Sequence, residues 1–160
     1  VDTGLNTMTG GRIKRIAPYV NNETFMLTYG DGVSDVPMDK VLAFHKSHGK
    51  ICTMTAVKPE GRFGILDLKG DCIASFREKS KQDVGYINGG YMIVEPEIFK
   101  YIAGDETTFE REPLETVANE GQLMAYKYNG FWQCMDTMRD RQKLEELWDA
   151  GKASWKVWSN

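Results

Sequence analysis

Five short stretches of this sequence carry side chains of the kind that handle phosphate, metal or polyol groups. In Gly30-Asp31-Gly32 a carboxylate follows an apolar run and lies between glycines that let a ligand approach the backbone closely. Such an Asp can hold Mg²⁺, which takes carboxylate and phosphate oxygens together, although an ordinary Asp-Gly turn uses the same residues. Met135-Asp136-Thr137 offers a second carboxylate at the junction of a strand and a helix, where it also suits a helix cap. Two strand-end carboxylates far apart in sequence are what a two-point metal clamp requires. Arg77-Glu78-Lys79 ends another extended stretch. There Lys79 can neutralise a phosphate and Glu78 can accept hydrogen bonds from hydroxyls; a solvated strand end is the plainer reading.

Ile87-Asn88-Gly89-Gly90 sets an amide with both donor and acceptor groups before two glycines. That pattern suits close approach by a polyol, and equally a bulge or hairpin turn. Thr9-Gly10-Gly11-Arg12 opens a helix, where free N–H groups and the helix dipole favour an anionic or polar ligand. It is too short for a Walker or Rossmann signature. His45 and His48, three apart on an expected helix, permit metal chelation, but no third ligand accompanies them and packing accounts for them more simply. No G-x-S-x-G elbow supports a serine hydrolase. Trp132, Trp148, Trp155 and Trp158 read as core or interface residues rather than base-stacking platforms.

These stretches fall where expected elements begin and end. Ile13, Ile16, Ala17 and Val20 share one helical face, so a helix is expected from Gly10-Gly11 to Asn21-Asn22. The run 25–29 reads as a strand buried on both faces and stopped by Gly30. Asp35 stands as an N-cap for a helix carrying Val41, Phe44 and His48, which Gly49 ends. A buried strand follows at 52–57, then a hairpin of 63–68 and 73–77 around Lys69-Gly70-Asp71, and a strand at 91–94. Pro96 opens a short helix, and Thr107-x-x-Glu110 resembles a capping box for a helix with Leu114, Val117 and Ala118 that Gly121 ends. Strands at 123–128 and 131–134 precede a helix capped by Thr137-x-x-Asp140 that carries Leu144, Leu147 and Trp148. Alternation of this kind is the α/β signature, and ligands there bind where strands stop.

Composition bounds the possibilities. A chain of 160 residues, 41% hydrophobic and 27% charged, fits one globular domain with a real core. A net charge of −3 argues against a nucleic-acid partner and for a small-molecule one. No apolar run is long enough to span a bilayer and no leader pattern precedes the first helix, so a soluble cytoplasmic protein is expected. Cys52, Cys72 and Cys134, widely spaced and odd in number, read as reduced thiols.

Taken in order, V-D-T-G, M-T-G-G-R-I-K-R, T-Y-G-D-G-V, G-R-F-G, R-E-K, I-N-G-G-Y, E-P-L, G-F-W-Q-C-M-D-T-M-R-D and G-K-A-S-W-K resemble the glucose-1-phosphate cytidylyltransferases over nearly the whole chain. The resemblance implies a Rossmann-like nucleotidyltransferase fold, with a mixed, mostly parallel sheet and flanking helices, as a single domain over residues 1–160. It implies Asp31 and Asp136 as Mg²⁺ ligands and Lys79 on the phosphate of glucose 1-phosphate. Glu78, Asn88, Gly64 and Gly89 would face the hexose. Thr7, Thr9, Gly10, Gly11 and Arg12 would lie along the nucleotide, with Tyr29 and Gly30 among the substrate contacts. The implied reaction makes CDP-glucose and pyrophosphate from CTP and glucose 1-phosphate, for CDP-linked deoxysugar and O-antigen biosynthesis. The implied assembly is a homo-oligomer.

Two positions depart from the family pattern: Ser80 and Cys134 stand where proline is usual. Members of the family also begin with a strand and a G-G-x-G-T-R loop that grips the triphosphate, and no such loop occurs in this sequence. The expectation is a fold incomplete at its N-terminus that holds the acceptor half of the site. Two classes of function follow: a portion of an active nucleotidyltransferase, cytidylyl or a related thymidylyl or uridylyl enzyme, or a binding or oligomerisation module of that fold without catalysis.

Overall fold

The computed structural model describes residues 1–58, 65–77 and 85–158. Gly64, Glu78, Lys79 and Ser80, four positions singled out above, lie outside the described residues. Helix α1 (Thr9–Arg15) leads into a 3₁₀ turn (Ala17–Tyr19), then strands β1 (Phe25–Thr28) and β2 (Gly32–Ser34) and helix α2 (Met38–His48). Strands β3 (Cys52–Val57), β4 (Ile65–Lys69), β5 (Cys72–Arg77) and β6 (Ile87–Val94) follow. A second 3₁₀ segment (Pro96–Tyr101), α3 (Glu112–Asn119), β7 (Leu123–Tyr128), β8 (Trp132–Cys134) and α4 (Met138–Asp149) complete the order.

The larger sheet has the order β1-β6-β3-β7-β5-β4 and is mixed, as expected, with helices against it. Its balance is the reverse of the expected mostly parallel one: only β3 with β7 is parallel among the described pairings. The cause is local connection. A two-residue turn at Gly70-Asp71, with Gly70 at φ 64, folds β5 back on β4, and β6 inserts antiparallel between β1 and β3. Successive residues of β6 serve opposite faces. Ile93 packs with Val36 and Val41, whereas Met92 and Val94 pack with Leu114 and Val117. So α2 and α3 cover opposite faces, and each fully buried Leu114 or Phe109 contributes about 1.5–3 kcal/mol. Among the described residues no helix is long and apolar enough to cross a membrane.

Several elements differ from expectation for identifiable reasons. The first helix stops at Arg15 because Pro18 supplies no N–H, and the chain then turns through Asn21 and Asn22 at φ 50 and 56. Strand β1 alternates half-buried and exposed residues rather than being buried on both faces. It is the edge of the sheet, and Met26 is 58% exposed. Strand β6 reaches back to Ile87 and takes Asn88-Gly89-Gly90 into the sheet as an irregularity opposite Met54 and Ala56, with Gly90 at φ 79. By contrast β3 is buried throughout, and α4 carries the expected capping box of Thr137 and Asp140.

One buried polar atom stands out: the Thr55 hydroxyl on β3 has no hydrogen-bond partner among the described residues. An unsatisfied buried hydroxyl costs roughly 1–3 kcal/mol, and valine has nearly the same shape. Thr55→Val is therefore expected to raise stability by about 1 kcal/mol or more in urea unfolding, and a loss of stability would show that the hydroxyl is satisfied.

Candidate active site at the strand ends

The backbone segments that carry the two aspartates expected as metal ligands are joined by hydrogen bonds. Strands β2 and β8 form a small antiparallel sheet in the register Gly32 to Cys134, Val33 to Gln133 and Ser34 to Trp132. One step beyond it, Met135 N–H donates to the Asp31 carbonyl at 2.8 Å. Asp31 thus lies opposite Met135, beside Asp136, and both aspartates are exposed. The Cys134 thiol faces Asp136, and burial pushes its pKa up to about 11, so it remains a neutral thiol.

This small sheet is fastened from three sides. Asp35 does not cap α2, whose N-cap is Pro37 without a side-chain bond. Its carboxylate instead accepts from Phe131 N–H at 2.8 Å and from the Tyr128 hydroxyl, and Ser34 Oγ donates to the Phe131 carbonyl at 2.7 Å. Burial, then the Asp35 contact, raises the Tyr128 pKa, so the phenol keeps its proton. Tyr91 Oη donates to the Gly32 carbonyl at 2.7 Å and Trp132 Nε1 to the Gly89 carbonyl at 2.8 Å, which tie the small sheet to β6.

Asn88 belongs to a side-chain chain running through the end of β1. Its Nδ2 donates to Tyr29 Oη at 2.9 Å, while its Oδ1 accepts from Gly90 N–H at 2.8 Å. Tyr29 Oη donates in turn to Glu110 Oε1 at 2.8 Å, and Glu110 Oε2 accepts from Thr9 Oγ1 at 2.7 Å. Burial and then the Glu110 charge raise the Tyr29 pKa far above its ordinary value, so Tyr29 stays a donor. Glu110 therefore is not part of a capping box: α3 starts at Glu112, and Thr107 Oγ1 is occupied by Gly104 N–H at 3.0 Å.

The start of α1 is organised differently from expectation. Three of the N–H groups there are not free for an anion: Gly10 and Gly11 donate to the Thr107 carbonyl at 2.9 and 3.3 Å, and Met8 to the Asp105 carbonyl at 2.9 Å. Arg15 pairs with Asp105 at 2.5 Å. A Cβ on Gly10 would meet the Thr107 carbonyl at 2.7 Å, and one on Gly11 would meet Asp105 Cα at 2.6 Å. Both glycines are thus required by packing, with Thr7 buried against them. Gly89 is likewise closed by Thr55 O at 3.0 Å and Gly90 by the Tyr29 ring at 2.8 Å. Among the described site glycines, Gly30 alone faces open space, with nothing within 4 Å of an added Cβ. Arg12 remains exposed, its guanidinium bonded only to the neutral oxygens of Thr3 at 2.7 Å and Leu5 at 3.1 Å among the described residues.

His45 and His48 form a packed relay. Lys50 N–H donates to His48 Nδ1 at 3.0 Å, which leaves His48 Nε2 as the proton-bearing nitrogen of the neutral ring, 2.8 Å from Thr53 Oγ1. Thr53 lies 2.8 Å from His45 Nδ1, and His45 Nε2 lies 2.9 Å from Glu95. Burial lowers the His48 pKa, consistent with that neutral form.

The site residues that sequence reasoning missed are Glu110, Asp35, Tyr91 and Trp132. Each acts on a partner distant in sequence, and the only local signal for them was an acidic or aromatic residue beside a strand or helix end.

Exposed carboxylates at two strand ends, a fixed amide and an exposed arginine are thus carried on one α/β domain. Comparison with known proteins makes this specific. The Nucleotidyl transferase family model matches residues 9–153, and the chain belongs to the nucleotidyl transferase family. A glucose-1-phosphate cytidylyltransferase of Salmonella typhimurium is 52% identical over 99% of this chain and 62% of its own length. A probable glucose-1-phosphate cytidylyltransferase of Bacillus subtilis is 36% identical over the same shares. The chain thus spans about 62% of the length of these curated relatives. The fold matches HddC from Yersinia pseudotuberculosis with TM-score 0.75 at 24% identity, over 91% of this chain and 64% of that one. It matches a UDP-glucose pyrophosphorylase complexed with UDP-glucose with TM-score 0.77 at 16% identity, over 94% of this chain and 65% of that one.

The contrast among the glycines is directly testable by urea unfolding. Gly11→Ala is expected to lose about 1–3 kcal/mol through overpacking, and Gly30→Ala to stay within about 0.5 kcal/mol of wild type. Equal losses would show that Gly30 is also a packing residue.

Proposed function

We propose that the polypeptide carrying this chain transfers CMP from CTP to glucose 1-phosphate, releasing pyrophosphate and CDP-glucose. The observation that carries this reading is the 52% identity to the Salmonella glucose-1-phosphate cytidylyltransferase across 99% of this chain. The ladder of β2 on β8, with Asp31 and Asp136 just beyond it, supports it with chemistry. A phosphate oxygen of glucose 1-phosphate attacks the α-phosphorus of CTP; the bond from that phosphorus to the oxygen bridging to the β-phosphorus breaks, and pyrophosphate leaves with it. Little covalent chemistry is asked of the protein, so positioning and charge neutralisation supply most of the rate.

Asp31 and Asp136 fit Mg²⁺: both offer hard oxygen ligands, both are exposed, and two carboxylates leave room for the substrate phosphates that this ion normally takes. Bound there, the ion would neutralise charge on the triphosphate. Around it, Asn88 and Tyr29 face the sugar side, while Thr7, Thr9 and Arg12 form the nucleotide side, Arg12 contributing an exposed positive charge. In this reading Gly10, Gly11 and Gly89 act by letting the backbone pack, and Gly30 by leaving space beside Asp31. Glu78, Lys79 and Gly64 complete the sugar-phosphate side in the same proposal. The proposal carries with it a cytoplasmic homo-oligomer that supplies CDP-linked deoxysugar and O-antigen biosynthesis.

Pyrophosphate release from glucose 1-phosphate, with CTP, UTP, dTTP and GTP each offered in turn, tests the proposal on the natural polypeptide. CTP is expected to be the preferred donor, and preference for another triphosphate would overturn that assignment. In the same assay Asp31→Asn and Asp136→Asn are expected to cut turnover by several powers of ten without loss of fold, because an amide is a much poorer ligand for Mg²⁺. Near-normal turnover of both at saturating Mg²⁺ would remove them as ligands. Lys79→Ala should chiefly raise the KM for glucose 1-phosphate; a larger effect on CTP would place it on the nucleotide. The 160 residues alone, without the further length of the relatives, are expected to give no measurable product, since in-line geometry needs donors on both sides of the α-phosphorus.

A further inference from the structure

Glu110 stands out because its side chain is not spent on its own neighbourhood. It precedes α3, yet the N-cap is Arg111 and no side chain caps that helix. The preceding residue, Phe109, is fully buried and its N–H donates to Thr9 Oγ1 at 2.9 Å, so the backbone that carries Glu110 is anchored. From that anchor one carboxylate oxygen reaches Thr9 and the other Tyr29, both far away in sequence.

A carboxylate can only accept, and this sets the direction of every bond in the network. Thr9 and Tyr29 must both donate to it. Tyr29, its proton committed, can only accept from Asn88, which turns Nδ2 of Asn88 to the phenol and Oδ1 to Gly90 N–H. One N–H and one lone pair of the Asn88 amide then remain for a ligand, in one fixed orientation. Gly90 N–H, which can only donate, fixes the amide the same way round from its other end, so the two bonds agree.

We propose that Glu110 is a positioning residue that holds the Thr9 segment with one carboxylate oxygen and the Tyr29–Asn88 pair with the other, fixing the nucleotide side and the sugar side of the site against each other. This rests on the substrate assignment above only for which substrate each branch touches. The branches are separable. Tyr29→Phe cuts the link to Asn88 and leaves Thr9 on Glu110; Thr9→Val cuts the other link; Glu110→Ala removes both.

The test uses the natural polypeptide with two readouts: KM for each substrate, and the nitrogen-15 NMR signal of the Asn88 side-chain amide, identified by its loss in Asn88→Ala. Loss of an oriented hydrogen bond corresponds to roughly a fivefold to tenfold effect. Tyr29→Phe is expected to raise the glucose 1-phosphate KM by about that factor and to shift the Asn88 signal. Thr9→Val should raise the CTP KM alone, and Glu110→Ala should raise both. Glu110→Gln keeps an oxygen for Tyr29 and should recover most of the sugar KM, and it replaces Glu110→Ala if the latter fails to fold. An unmoved Asn88 signal in Tyr29→Phe, or a sugar KM within about twofold of wild type, overturns the proposal. A wild-type protein that makes no CDP-glucose, yet shows the expected signal shifts, supports the network and sinks only the substrate assignment.

Discussion

The hydrogen bond from Met135 N–H to the Asp31 carbonyl, 2.8 Å long, is the constraint on which the rest of the site depends. It closes a ladder of only three residue pairs, too short to be stable by itself. The chain therefore surrounds it with longer-range support. Asp35 holds the approach to β8, and Gly130 admits it, since a Cβ there would fall within 2.3 Å of Tyr128 Cζ and drive the phenol from Asp35. Tyr91 and Trp132 then fasten both strands to β6. The segments carrying Asp31 and Asp136, distant in sequence, lie side by side because longer-range side-chain bonds hold a three-pair ladder in place.

How much of this was legible in the sequence follows from the range of each interaction. The β4–β5 hairpin, the buried β3 and the Thr137–Asp140 box are set by residues within a few positions of each other, and they formed as read. Strand β2 was not foreseen because its three residues have no pattern of their own; β8 makes it a strand. Asp35 and Glu110 were both read as helix caps, the local use of an acidic residue before a helix. Both instead serve partners across the fold, where no spacing rule reaches them. The first helix failed for a different reason: its apolar period continued through Pro18, and the missing N–H outweighed the period.

The candidate site was legible as residue types and not as geometry. Asp31 and Asp136 could be singled out, but only the register of β2 on β8 brings them together. Asn88 could be suspected from its amide, but its orientation is set by Gly90 N–H and by Tyr29, which Glu110 holds. The histidines show the opposite outcome. Their spacing permitted a metal pair, and the structure spends both rings on Thr53, Glu95 and the Lys50 N–H.

Glycines in such motifs carry two meanings that sequence cannot separate, and here the structure divides them. Gly10, Gly11, Gly89 and Gly90 are closed by protein atoms at 3.0 Å or less from an added Cβ, so their missing side chains serve close packing of α1 on the 105–107 segment and of β6 on β3 and Tyr29. Gly30 is open. Among these described glycines, the open backbone is the one after β1, beside Asp31. Along the Thr7 to Arg12 segment the N–H groups of Met8, Gly10 and Gly11 are bonded to Asp105 and Thr107, and the exposed charge is that of Arg12. The helix start is thus rigidly packed and carries one exposed cation, whereas the backbone beside the exposed Asp31 is left open. The same residue type therefore does opposite work at the two places: it closes the α1 start and opens the chain beside Asp31.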